Sequence, residues 1–131
     1  MKRILLSLYI IALITACSSN SSKQQALSII DRNLDAIISN GKIQASSNPA
    51  DYINANLEGY SEILNTGNEG LDYLMNELKE SPDNGLREWI IAKACEDMLK
   101  DQAPDAPWAS GKEWLRVYGE SREINQQRGD L

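Results

Sequence analysis

Carboxylates are the most abundant reactive side chains in the chain. Four pairs of them fall at helical spacing: Glu58 with Glu62, Asp97 with Asp101, Glu69 with Asp72, and Glu77 with Glu80. Two acids one turn apart on a helix could serve as an acid–base dyad or hold a divalent cation. A dyad needs burial to push the two pKa values apart. These residues lie off the apolar stripes of their segments, so a solvated helix face is the simpler reading. The chain has no histidine, which removes the commonest general base and the commonest metal ligand together. It carries no P-loop, no GxSxG and no Cys/His metal spacing, and "DNGLREWIIAKACE" (83–96) lacks the alternating oxygen ligands of a calcium loop. The expectation is a protein without catalytic residues, metal or cofactor.

Of the two cysteines, Cys95 lies at helical spacing from Ile91, Met98 and Leu99. That spacing reads as a small buried apolar residue. A reactive thiol needs a cationic neighbour, and "ACEDM" supplies acids instead. Arg87 is the cation singled out. It could present its guanidinium to a partner's carboxylate, or tie neighbouring turns through an acid of its own chain. Trp89, Trp108, Trp114 and Tyr118 cluster late in the sequence. Tryptophan and tyrosine are enriched at binding hot spots and are also large core residues. Trp89 reads as core. Trp108, between turn residues, is the best candidate for contact with a partner.

The first residues answer a question of address. Lys2 and Arg3 precede "ILLSLYIIALI" (4–14), a run without charge. Eleven helical residues rise about 16 Å, short of the ~30 Å of a bilayer core. A basic start, a short apolar run and then small residues have the form of a secretory signal. Ile14-Thr15-Ala16-Cys17 resembles the lipobox of bacterial lipoproteins. The resemblance implies a diacylglycerol thioether on Cys17 and cleavage before it. It also implies export to the outer membrane of a two-membrane cell (no Asp follows the cysteine), or to the outer face of the plasma membrane otherwise. Residues 1–16 are then a signal peptide, and 17–22 the acylated Cys17 with a flexible Ser/Asn tether. The chain as a whole is similar to small bacterial lipoproteins.

Without Lys2 and Arg3, eleven cations face nineteen anions, a formal charge of −8. That surface repels phosphate backbones, so no nucleic-acid partner is expected. It would not adhere to anionic lipid either, which leaves attachment to the acyl chains. If Cys17 is acylated, Cys95 has no intramolecular disulfide partner.

The remainder reads as one helical domain (23–119) and a polar C-terminal tail (120–131). Apolar residues at 27, 30, 34, 37 and 38 predict a helix over 23–40, with Ser22 and Gln25 as a capping box. Asn48 and Pro49 open a second helix over 48–67, in which Gly59 marks a bend or a close approach and Gly67 the stop. A third helix spans 68–81 with a Thr66–Glu69 box. A fourth spans 83–101, with the widest apolar stripe and so the deepest burial. Ser110 and Glu113 cap a short last one ending near Gly119, after which the tail frays. The fold class is all-α with about five helices. The segment 67–99 is similar to one HEAT-type helical hairpin, with Leu86-Arg87 at the start of its second helix and Ala92 and Ala94 as small packing residues. The body is either a short HEAT-like array or an irregular helical bundle. Such folds imply protein binding. The functional expectation is a membrane-anchored scaffolding or protein-binding lipoprotein of the envelope. The alternatives are an inhibitor or immunity-type protein for a secreted toxin or hydrolase, and, further off, a carboxylate-based envelope hydrolase.

Overall fold

The computed structural model describes the backbone of residues 2–43 and 46–129, and the side chains of 20–43 and 46–129. Among these residues there are six α-helices and no strand, so the chain is all-α. They are α1 (Lys2–Ile38), α2 (Pro49–Asn54), α3 (Leu57–Leu64), α4 (Gly67–Glu80), α5 (Leu86–Leu99) and α6 (Gly111–Gly129), with a short 3₁₀ turn at Lys100–Gln102. No helix among the described residues is long and apolar enough to cross a membrane.

α1 does not start at Ser22. It runs unbroken from Lys2, so the Ser22–Gln25 box is not formed and the backbone of 18–22, expected as a flexible tether, is helical. No glycine or proline lies between residues 2 and 38. Serine and asparagine weaken a helix by only tenths of a kcal/mol each (up to about 0.7) relative to alanine, so helix propagates through them. The side chain of Cys17 lies outside the described residues. Further along, α1 buries Ala26, Ile30, Leu34 and Ile37 on one face.

The helix expected over 48–67 is two helices. Asn48 caps α2 as read, its side chain accepting from the Ala50 N–H. The chain then turns at Ala55–Asn56, where Asn56 leaves helical geometry with φ −143° and ψ 48°. Asparagine favours such exits because its amide competes with the helical backbone bonds. Gly59 marks the close approach and not the bend: a Cβ there would stand 3.0 Å from Asn33 Oδ1 on α1.

α4 and α5 form the hairpin expected within 67–99, joined by the 81–85 turn. The end of α5 lies beside the start of α4, where Asp97, Met98 and Lys100 share a small cleft with Gly67 and Asn68. Thr66 does not cap α4; its hydroxyl donates to the Ile63 carbonyl at 2.6 Å. α5 is the most buried element, with Ile90, Ile91, Ala92, Ala94 and Cys95 withdrawn from solvent. It begins at Leu86, three residues later than expected, because Glu88 reaches back to the Gly85 N–H at 2.8 Å and fixes that end. α6 crosses α5 closely at Gly111, where a Cβ would come within 2.5 Å of the Glu88 carbonyl oxygen. Ser110 and Glu113 work as read: the Glu113 N–H donates to Ser110 Oγ, and the Glu113 carboxylate accepts from the Ala109 N–H at 2.7 Å. α6 does not stop at Gly119, since one internal glycine costs only about 1 kcal/mol relative to alanine. The helix continues through most of the expected tail to Gly129 with its surface exposed, aided by an Arg116–Glu120 pair one turn apart.

One core joins these pieces. Ile30, Leu34 and Ile37 of α1 meet Ile63 of α3, Leu74 and Leu78 of α4, Ile90, Ile91 and Cys95 of α5, and Trp114 of α6. The hairpin alone could not bury both its faces; α1 and α3 cover one side and α6 closes another.

Candidate functional site

Trp89 on α5 and Trp108 in the loop before α6 pack with ring centroids 5.3 Å apart and planes at 44°. Both rings are half-buried and lie against the core. Trp89 is therefore only partly the core residue its spacing suggests. Trp108 is held by the indole N–H, which donates to Glu96 Oε1 at 2.8 Å. Trp89 and Glu96 are seven residues apart, within about 20° of one another around the helix. One face of α5 thus carries both the ring that Trp108 stacks on and the carboxylate that holds it.

Glu96 belongs to a chain of polar contacts. Lys93 donates to Glu96 at 3.0 Å and to Asp97 at 2.6 Å. Asp97 also accepts from the Tyr60 hydroxyl of α3 at 2.8 Å. Burial, then the bonded Asp97, push the Tyr60 phenol well above its ordinary range. Burial alone would lower Lys93; the bonds and charges of Asp97 and Glu96 outweigh it and hold the ammonium above its ordinary value. Both groups keep their ordinary charge state near neutrality, and through Glu96 the chain of contacts reaches Trp108.

Arg87 sits elsewhere. It is about 180° around α5 from Glu96, and its guanidinium donates to Glu77 of α4 at 3.2 Å. Of the two roles open to it in the sequence, the geometry supplies the intramolecular tie. Arg87 and Trp108 do not share a surface. The carboxylate pairs are likewise separated by exposure: in each of the four, at least one member is exposed. Glu62 turns to α1 instead, accepting from Asn33 and Arg32 at 2.8 Å each. Those bonds, Asn33 first, lower its pKa below the ordinary value.

No family model, no curated protein and no solved structure matches this chain. The site is defined by its own geometry.

Three features of that geometry were not singled out in the sequence. Glu88 is nearly enclosed at 4% exposure, accepting from Ser81 Oγ and the Gly85 N–H at 2.8 Å each. Burial alone would raise this carboxyl; the bonds from Ser81 and backbone N–H groups, with the charge of Arg87, outweigh it and hold it below the usual range. The position three residues after Gly85 was the available signal. Lys112 donates to the Leu78 and Ser81 carbonyls at 2.6 Å each, a cation on the open end of α4. Beside Trp89 lies a cleft of about 320 Å³ between the 46–49 segment, the 84–86 turn and the start of α6. It gathers residues from distant parts of the chain, so no local pattern announces it. Cys95 is buried as read, its thiol pushed up to about 12 by burial, and among the described residues no cluster of acids or cysteines is arranged to hold a metal.

Proposed function

We propose that the protein is a lipid-anchored, non-catalytic binding module of the bacterial envelope, which contacts another envelope protein through the Trp89–Trp108 face. The anchor is supported by the N-terminal pattern: Lys2-Arg3, the apolar 4–14 run and Ile14-Thr15-Ala16-Cys17. Acyl chains contribute about 0.8 kcal/mol per buried CH₂, and two or more on one residue give stable attachment. The observation that carries the contact surface is Trp108. It is a large ring in a loop, partly open to solvent, yet fixed by a tilted ring contact and a hydrogen bond. A pre-fixed aromatic loses little conformational freedom on binding, which is the property of a hot-spot residue.

Two experiments test the reading. Intact-mass measurement of the protein from a membrane fraction should show a diacylglyceryl-modified Cys17 at the new N-terminus; an unmodified thiol there removes the anchor. A photo-crosslinking residue placed at Ala109 in cells should capture one envelope protein, whereas the same residue at Asp35 on the exposed face of α1 should not. Equal capture from both positions, or none from Ala109, contradicts the contact surface.

A further inference from the structure

The cleft beside Trp89 differs in one property from four other clefts of the described surface. A quarter of the chain is charged, and four other clefts of the described surface each have at least two charged side chains in their walls. Every residue lining this one is uncharged. A volume of about 320 Å³ lies at the small end of ligand-sized cavities. Its lining combines ring and hydrocarbon, from Trp89, Tyr52 and Pro49, with hydroxyl and amide, from Ser47, Asn84 and Ser110.

The polar part of the lining is held in place and keeps hydrogen-bonding capacity in reserve. Asn84 Oδ1 accepts from the Lys112 N–H at 3.0 Å, and its amide donates to Ser110 Oγ at 3.1 Å. An amide has two N–H donors, so one remains. Ser110 Oγ accepts from Asn84 and from the Glu113 N–H, which leaves its own proton to be donated. Ser47 is exposed, and its hydroxyl has no hydrogen-bonding partner among the described residues. An aromatic face is electron-rich and attracts weakly positive C–H groups. A ligand suited to this lining carries both an apolar C–H face and hydroxyl or amide groups, with no net charge. That is the chemistry of a neutral pyranose ring.

We propose that this cleft binds a neutral sugar ring, stacked on Trp89 and hydrogen-bonded by Asn84, Ser110 and Ser47. The cleft adjoins the proposed protein-contact face and shares Trp89 and Ala109 with it; sugar binding by the isolated chain is read without any protein partner and so does not rest on that contact. A charged ligand would enter without a counter-charge, which burial penalises.

The test is titration of the full chain with three neutral trisaccharides (chitotriose, maltotriose and cellotriose), read by tryptophan fluorescence, alongside retention on chitin. Saturable binding of at least one trisaccharide is expected, and Ser47→Arg and Ala109→Trp should each weaken it roughly tenfold or more. Both positions are exposed at the cleft mouth, so far-UV circular dichroism should be unchanged. Retention on chitin with release by chitotriose identifies a glycan strand as the source of the ring; saturation without retention identifies a free sugar. The proposal is overturned if no trisaccharide saturates, if both variants bind like the parent, or if a proline-rich peptide saturates the cleft in place of the sugars.

Discussion

Among the described residues, two aromatic pairs have the same 5.3 Å ring separation and different circumstances. Trp114 and Tyr118 of α6 stack almost parallel, at 10°. Trp114 is wholly buried, and its indole N–H is enclosed without a hydrogen-bond partner. Trp89 and Trp108 meet at 44°, half-open to solvent, and the Trp108 N–H is bonded to Glu96. Trp114 gives up a hydrogen bond in exchange for burial, with the half-buried Tyr118 stacked against it, an arrangement suited to cohesion. The outer pair gives up burial and keeps its polar contact, which leaves a fixed ring at the surface. Residue type alone does not separate an enclosed indole from one held at the surface; what surrounds the N–H does.

The largest expected effect falls on the inner pair. Trp114→Ala should destabilise the fold by about 3–5 kcal/mol, measured by denaturant unfolding. Trp114→Phe should cost far less than alanine, because it keeps a ring in the core and leaves a smaller cavity; loss of the enclosed N–H, whose desolvation costs about 1–3 kcal/mol, offsets part of the lost packing in both variants. If phenylalanine is as damaging as alanine, ring packing is not what Trp114 supplies.

Glu88, next to Trp89 in the chain, is the buried polar anchor beneath the outer pair. Glu88→Ala should cost roughly 1–3 kcal/mol, the loss of charge-assisted bonds that leaves the Gly85 N–H unpaired. The sign of its pH dependence follows from its lowered pKa. Its stabilisation is fully present above the ordinary glutamate value of about 4.5. It is lost as pH falls through that value toward the depressed folded one. Glu88→Gln should flatten the stability profile in that acidic window and leave its shape at neutral pH unchanged.

Trp108→Ala should cost about 1 kcal/mol, well below the Trp114 value, as a half-exposed ring held by one hydrogen bond. The smallest effect concerns the end of α5 that leads to the Trp108 loop. Lys100 has φ 53° and ψ −121°, a region where a side chain is strained and glycine is not. Lys100→Gly should therefore raise stability slightly, by up to about 1 kcal/mol, visible as a small rise in Tm.

Much of the architecture was legible from periodicity. The stripe of α1, the Asn48 cap, the Ser110–Glu113 cap and the wide stripe and deep burial of α5 all follow from spacing and capping chemistry. The errors share one cause. Local signals say where a helix is able to begin or end, and neighbouring sequence decides whether it does. Ser22 and Gly119 were read as boundaries, but helix propagates through both because their penalties are small beside uninterrupted flanks. The break at Ala55–Asn56 went unread because asparagine is a weak signal beside the glycine at 59. Arg87 shows the corresponding limit for sites. Its type allowed two roles, and only the position of Glu77 on the neighbouring helix chose between them. The neutral cleft is assembled from residues up to 64 positions apart, Ser46 to Ser110, and so belongs to the fold and not to any segment.

The central claim is that the outer pair serves contact and the inner pair cohesion. It is tested most directly by photo-crosslinking from Ala109 in cells, comparing the parent chain with Trp108→Ala at equal protein level. The account predicts that the crosslink to the envelope partner falls about tenfold, as expected for loss of a hot-spot aromatic worth ~1.4 kcal/mol or more, while Tm moves by only a few degrees. An undiminished crosslink, or a Trp108→Ala chain that unfolds as Trp114→Ala does, would contradict it.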